Sequence, residues 1–176
     1  MGKIRKLKQL FKREKIDGYI IPKNDEFFSE YISKYNDRLR YISNFTGSYG
    51  FSLILKDKNY LFVDGRYTLQ ANHQSGAFFK IKTFPKTMPK DILKNKKLSI
   101  GFDPKLITKK TLDIFFASKN CRFKPIKQNL IDNIWNRVSK TRSRKFYNLP
   151  KYSVGNTHIS KINKIALFIK KAGADF

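Results

Sequence analysis

Two apolar runs, Phe51–Leu55 (FSLIL) and Tyr60–Val63 (YLFV), stand four polar residues apart, and this pairing constrains the chain more than any other feature. Both runs are rich in aromatic and aliphatic residues, which suit a pleated, buried surface. The intervening Lys56-Asp57-Lys58-Asn59 is short and polar, so the runs are expected to fold back on each other as a β-hairpin. A hairpin needs further elements to cover it.

The flanking sequence supplies those elements in alternation. Upstream, Ile4, Leu7, Leu10 and Phe11 recur every three or four residues among Lys and Arg, which predicts an amphipathic helix ending at Asp17-Gly18. A short strand, YIIP, follows and is closed by Pro22. Residues 25–44 mix acidic, aromatic and basic positions and predict two short helical pieces around Lys34-Tyr35-Asn36. Downstream, Asp64-Gly65-Arg66-Tyr67 ends the second hairpin strand, and Tyr67, Leu69, Gln70 and Ala71 start a helix to about His73. Then come a strand in FFKIKTF, a short helix around Asp91 to Leu93, a strand in LSIGFD and a helix carrying Leu112, Phe115 and Phe116. A strand in CRFKPI and a helix around Leu130 to Trp135 complete the series. Interleaved strands and helices predict an α/β fold, a mixed β-sheet flanked by helices.

From Val138 to Val154 the sequence turns basic, contains Pro150 and loses any apolar period, as a linker does. Beyond Gly155, the residues Ile159, Ile162, Ile165 and Ile169 define another amphipathic helix, with Thr157 or Asn156 placed to cap it. Its isoleucine stripe is expected to dock on the domain or on a neighbouring chain. The expected organisation is a domain over 1–139, a linker over 140–157, and over 158–176 the first helix of a truncated second domain.

Charge bears on partners. Lys and Arg number 38 against 13 acidic residues, a net charge of +25, which raises the question of nucleic acid. Only 9 of the 38 are Arg, the residue suited to bidentate phosphate and base contacts, and the basic positions run from Lys3 to Lys171 without a dominant block. A solvated basic surface explains the excess better, and nucleic-acid binding is kept as a minor alternative. No apolar run approaches the length of a membrane span, and the charged opening MGKIRKLKQLFKREK is unlike a secretory signal, so the expected location is cytoplasmic and no membrane partner is expected. The lone Cys121 has no second Cys or His near it and reads as an idle thiol.

The residues that could do chemistry are sparse. A hydrolytic metal site draws three or more ligands from His, Asp, Glu and Cys, and His73 and His158 sit in no ligand spacing. No metal ligand and no catalytic residue is therefore assigned. Thr46-Gly47-Ser48-Tyr49-Gly50 lacks the strand before and helix after a nucleophile elbow, and reads as a tight turn into FSLIL. Asp25, Glu26 and Glu30 lie close in sequence to Asp37, Arg38 and Arg40; ion pairs ordering this stretch are the first reading, a substrate contact the second. Asp64 is placed to cap the following helix, with Arg66 expected to pair with an acid such as Glu30 or Asp25 beside Tyr67.

These same residues carry a resemblance. The DE-x-x-SEY element at Asp25 to Tyr31, Arg38, the F-T-G-S-x-G turn at Phe45 to Gly50, and D-G-R-Y-x-x-Q-A at Asp64 to Ala71 resemble, in order, the N-terminal domain of the creatinase, prolidase and Xaa-Pro aminopeptidase family. Gly101-Phe102-Asp103-Pro104 looks like that family's G-x-D-P strand end, and Asn129 to Trp135 looks like its N-L-x-D-x-x-W helix. Tyr152 to Lys161 resembles the start of the middle domain in the three-domain aminopeptidases.

The resemblance implies a ribonuclease-H-like fold and a non-catalytic front domain that shapes substrate access and dimer contacts, with Asp25, Glu26, Glu30, Arg38, Asp64, Arg66 and Tyr67 as structural, access or interface residues. It also implies a parent hydrolase that removes the residue before a proline in second position. That parent would use two divalent ions, usually manganese, in a downstream pita-bread domain, and would form a homodimer. The family often has His after DE, where this chain has Phe27, which puts any contact made by that His in doubt. The alternative is a stand-alone binding module of the same fold that has lost the peptidase.

Overall fold

The hairpin forms, and it becomes the middle of a larger sheet. The computed structural model describes residues 2–137, 145 and 147–174. They divide into two units, 1–139 and 140–176. In the first, helix α1 (Gly2–Glu14) leads into strand β1 (Gly18–Pro22). Helix α2 (Arg38–Ser43) precedes the hairpin strands β2 (Phe51–Leu55) and β3 (Asn59–Val63). A single 3-10 turn, Gly65–Tyr67, opens α3 (Thr68–Ser75), which feeds β4 (Lys80–Thr83). Then follow α4 (Pro89–Leu93), β5 (Ser99–Phe102), α5 (Lys109–Phe115) and β6 (Arg122–Pro125).

The strands make one six-stranded mixed sheet in the order β4-β3-β2-β1-β5-β6. β2 runs antiparallel to both neighbours, with Phe51 opposite Pro22 on one side and Phe62 on the other. The other pairs, β1 with β5, β3 with β4 and β5 with β6, are parallel. Five strands therefore point the same way, and their carboxyl ends share one edge with the amino end of β2. Every residue of β1 and β2 is buried, as expected where helices cover both faces.

Alternation along the strands divides the core. Tyr19, Ile21, Ile54, Leu61 and Val63 face Leu7 and Phe11 of α1, Leu39 and Ile42 of α2, and Ala71 of α3. Ile20, Leu53, Leu55, Tyr60 and Phe62 face Leu93 of α4, and Leu112 and Phe116 at α5. The helical spacing in α1 thus places Leu7 and Phe11 inside, each fully buried and each contributing roughly 1.5–3 kcal/mol of apolar transfer.

Two predicted helices are absent. Of the two pieces expected in 25–44 only α2 forms, and residues 25–37 are turns and bends. Residues 130–134 are successive turns instead of the helix expected over Leu130–Trp135. In the second unit a four-residue helix, α6 (Lys151–Val154), lies inside the expected linker. Helix α7 (His158–Lys171) starts at Thr157, whose hydroxyl accepts from the Ser160 N–H. Among the described residues of that unit nothing covers the stripe of α7, where Ile159, Ile162 and Ile165 are exposed. The expected boundary at 139 and 140, the linker's first residues and the final two residues lie outside the described residues.

Candidate functional site

The motif elements singled out in the sequence converge on the carboxyl edge of the sheet. The Asp25–Tyr31 element follows β1, the Phe45–Gly50 turn precedes β2, the Asp64 element follows β3, Asp103 follows β5 and Asn129–Trp135 follows β6. Three sets of side chains organise that edge.

The loop after β1 is closed at its base. Lys23 at its start and Asp37 at its end meet at 2.6 Å, both almost buried, and Asp37 also caps α2 by accepting from the Arg40 N–H at 3.0 Å. Asp25 is buried, and its Oδ1 accepts from the N–H groups of Phe27 at 3.1 Å and Ser29 at 2.9 Å. Burial pulls the Asp25 carboxyl up, but those N–H bonds outweigh it and hold the group below its ordinary value.

Arg38 joins this loop to the segment after β6. Its side chain is 3% exposed. Nε and Nη2 grip Asp132 in a two-pronged pair at 2.8 and 2.9 Å, and Nη2 also donates to Glu26 Oε1 at 2.6 Å. Planar guanidinium and carboxylate match in this geometry as a Lys could not. Burial disfavours the Arg38 charge, and the bonds it donates to Asp132 and Glu26 overcome that and raise its pKa. Glu26 is correspondingly lowered, its burial outweighed chiefly by the bond from Arg38. Arg137 also reaches Asp132 and lies over the Trp135 ring at 4.5 Å, which in turn stacks on Tyr41 at 4.6 Å.

The third set surrounds the turn before β2. The Thr46 hydroxyl accepts from Gln70 at 2.8 Å and Gln74 at 2.9 Å, and its N–H donates to Gln74 Oε1 at 2.9 Å. The Tyr67 hydroxyl is 2.7 Å from Ser48 Oγ, and its ring meets Phe45 edge-on at 5.8 Å. Glycine is required here by close approach: a Cβ on Gly47 would run into the Phe45 ring and lie 2.9 Å from that of Tyr67, and one on Gly50 would lie 2.8 Å from the Phe62 carbonyl oxygen.

Several expectations need correction. Arg66 does not reach Glu30 or Asp25; it pairs with Asp64, two residues away, at 2.7 Å and is 75% exposed. Asp64 does cap, accepting from the Arg66 N–H at 2.9 Å, but what it caps is the 3-10 turn. The Arg66 bond is the main reason its carboxyl lies below the usual range. Among the acids of the first loop only Glu26 pairs with Arg38, while Glu30 is exposed and forms no ion pair among the described residues. Phe27 is 83% exposed. Asp132, Arg137 and Gln74 went unrecognised, although Asp132 stands in the N-L-x-D-x-x-W segment. Among the described residues no three His, Cys, Asp or Glu side chains converge, and His73 and His158 are both exposed. No helix among them is long and apolar enough to cross a membrane.

A mixed sheet with helices on both faces and charge-stapled loops at one edge is the frame of a known domain class, and the chain belongs to the Creatinase/Prolidase N-terminal domain family, which it matches over residues 3–134. It is 33% identical over 178 residues to a Coprinopsis cinerea protein named "Probable Xaa-Pro aminopeptidase P", covering 94% of this chain and 28% of that protein. The crystal structure of X-prolyl aminopeptidase from Caenorhabditis elegans, described as a cytosolic enzyme with a di-nuclear active site, superposes with a TM-score of 0.80 at 25% identity, covering 99% of this chain and 31% of that one. The N-terminal domain of the cytoplasmic peptidase PepQ from Mycobacterium tuberculosis shares the fold, with a TM-score of 0.57 at 19% identity over 76% of this chain and 98% of that one. The chain thus spans about 28% of the length of the curated relative.

Proposed function

We propose that this chain acts as the non-catalytic N-terminal domain of a metal-dependent Xaa-Pro aminopeptidase. Residues 1–139 form the domain, 140–157 the linker and 158–176 the first helix of a following domain. The partner of this assembly is a downstream pita-bread domain that binds two divalent ions, manganese by preference. The whole enzyme is a cytoplasmic homodimer that releases the residue preceding proline from peptides. The observation that carries this reading is the gathering of the family's motif elements on one edge of the sheet, where the Arg38 and Asp25 contacts hold the loops rigidly enough to shape access to a neighbouring site. The exposed isoleucines of α7 also support it, because such a stripe suits a further domain.

The test is hydrolysis of a peptide with proline in second position by this chain alone, with manganese added. No release of the first residue is expected. Metal-dependent turnover would contradict the assignment of catalysis to other sequence.

A further inference from the structure

Beside β1 lies a cavity that none of the motif contacts uses. It occupies about 290 Å³ and is walled by Ile20, Phe28, Tyr49, Phe51, Phe115 and Phe116. Its position follows from the topology. After β1 the chain turns toward β2 through α2, packed on one face, whereas after β5 it turns toward β6 through α5, packed on the other. Connections that diverge from adjacent parallel strands leave a crevice outside their carboxyl ends, and in open α/β sheets this is where ligands bind. Pro22, Lys23 and Asn24 at the end of β1 and Ile107 after β5 border this cavity, so it lies in that crevice.

The walls select what can enter. Phe51 stacks with Phe115 at 6.0 Å, tilts against Phe116 at 5.5 Å and meets Phe84 edge-on at 5.6 Å, so the walls around it are aromatic. Although the chain carries +25, the cavity offers no free cation among the described residues: the lysine that lines it, Lys23, is closed by Asp37 at 2.6 Å, and the Asn24 amide donates to the Leu106 carbonyl at 2.9 Å. An anion entering would lose water and find no unpaired positive charge in exchange, only neutral donors such as the Tyr49 and Thr111 hydroxyls. The volume is at the lower end for ligand pockets, roughly 300 to 1,000 Å³, enough for one ring and too small for a nucleotide.

The mouth is held in place against its own preference. Phe28 lines the cavity, is half exposed, and has φ +53°, a left-handed conformation that strains a bulky residue. The Asp25 carboxylate imposes it by taking the N–H groups on either side, of Phe27 and Ser29. Strain that the surroundings over-determine is concentrated at binding sites. We propose that this crevice is a binding site for a single neutral aromatic ring, with Phe28 as its outer wall.

The experiment is a titration of the full chain followed by amide chemical shifts, with p-cresol as the free ring, N-acetyl-phenylalaninamide as the peptide-borne ring, and phenylacetate as the anionic control. Saturable shifts centred on Phe28, Phe51 and Phe116 are expected with a neutral probe, and at least tenfold weaker binding with phenylacetate. Saturation by the capped amino acid alone would identify the ring as part of a peptide; saturation by p-cresol alone, as a small molecule. Phe28→Ala is expected to weaken binding at least fivefold and Phe78→Ala, far from the crevice in the sequence and outside its walls, to leave it unchanged. Tyr49→Ala repeats the test if Phe28→Ala loses its dispersed spectrum. Shifts that do not saturate with either neutral probe, equal binding of phenylacetate, or full affinity in folded Phe28→Ala and Tyr49→Ala would overturn the proposal.

Discussion

Arg38 and Arg66 leave the same edge of the sheet, each within a motif element that resembles the family, and they do opposite things. Arg38 is 3% exposed and is shared between Glu26 and Asp132, which are far apart in sequence. Arg66 is 75% exposed and turns back on Asp64, its neighbour but one. The first therefore fixes one part of the chain to another, while the second trims a turn that the backbone already makes. Similar guanidinium-carboxylate pairs carry very different energies, because water screens one and is excluded from the other.

Substitutions sharpen this contrast. Arg38→Ala leaves the Glu26 and Asp132 carboxylates, each about a third exposed, without their buried guanidinium and is expected to cost about 1.5–3 kcal/mol, read from urea or guanidinium unfolding. Gly50→Ala, which pushes a Cβ against the Phe62 carbonyl, is expected to cost about 1–3 kcal/mol by the same measurement. Acid should act on the first corner more gradually. Asp25 and Glu26 have folded pKa values below their ordinary 3.8 and 4.5, so their contribution is complete above those values and is lost as pH falls through the folded ones. The thermal midpoint should accordingly be level above about pH 5 and decline below it, and Asp25→Asn should flatten that decline. Arg66→Ala should leave the midpoint unchanged within error; a loss as large as that of Arg38→Ala would abolish the distinction.

The same contrast explains what the sequence reveals. The six strands were legible because apolar runs and turn residues are local, and the family elements pointed to the edge that matters. The helix expected in 25–37 failed because the Asp25 carboxylate captures N–H groups that a helix would need and forces Phe28 to positive φ. The helix expected over Leu130–Trp135 failed for a related reason. The Asn129 side chain takes the Ile131 N–H at 2.9 Å, and Asp132 is drawn to Arg38, ninety-four residues away. The Asn129 contact is a local one, two residues on, but the pairing of Asp132 with Arg38 cannot be read from spacing. The Arg66 pairing went wrong in the opposite sense, since a distant acid was sought where the adjacent Asp64 was already within reach.

Calorimetric titration of the full chain with manganese tests most directly the proposal that the described residues, among which no three His, Cys, Asp or Glu side chains converge, act as a scaffold without a metal centre. Binding no tighter than about 1 mM, the range of scattered surface carboxylates, is the expected result. Two ions, or one, bound stoichiometrically with micromolar Kd would show a ligand set that the scaffold account denies.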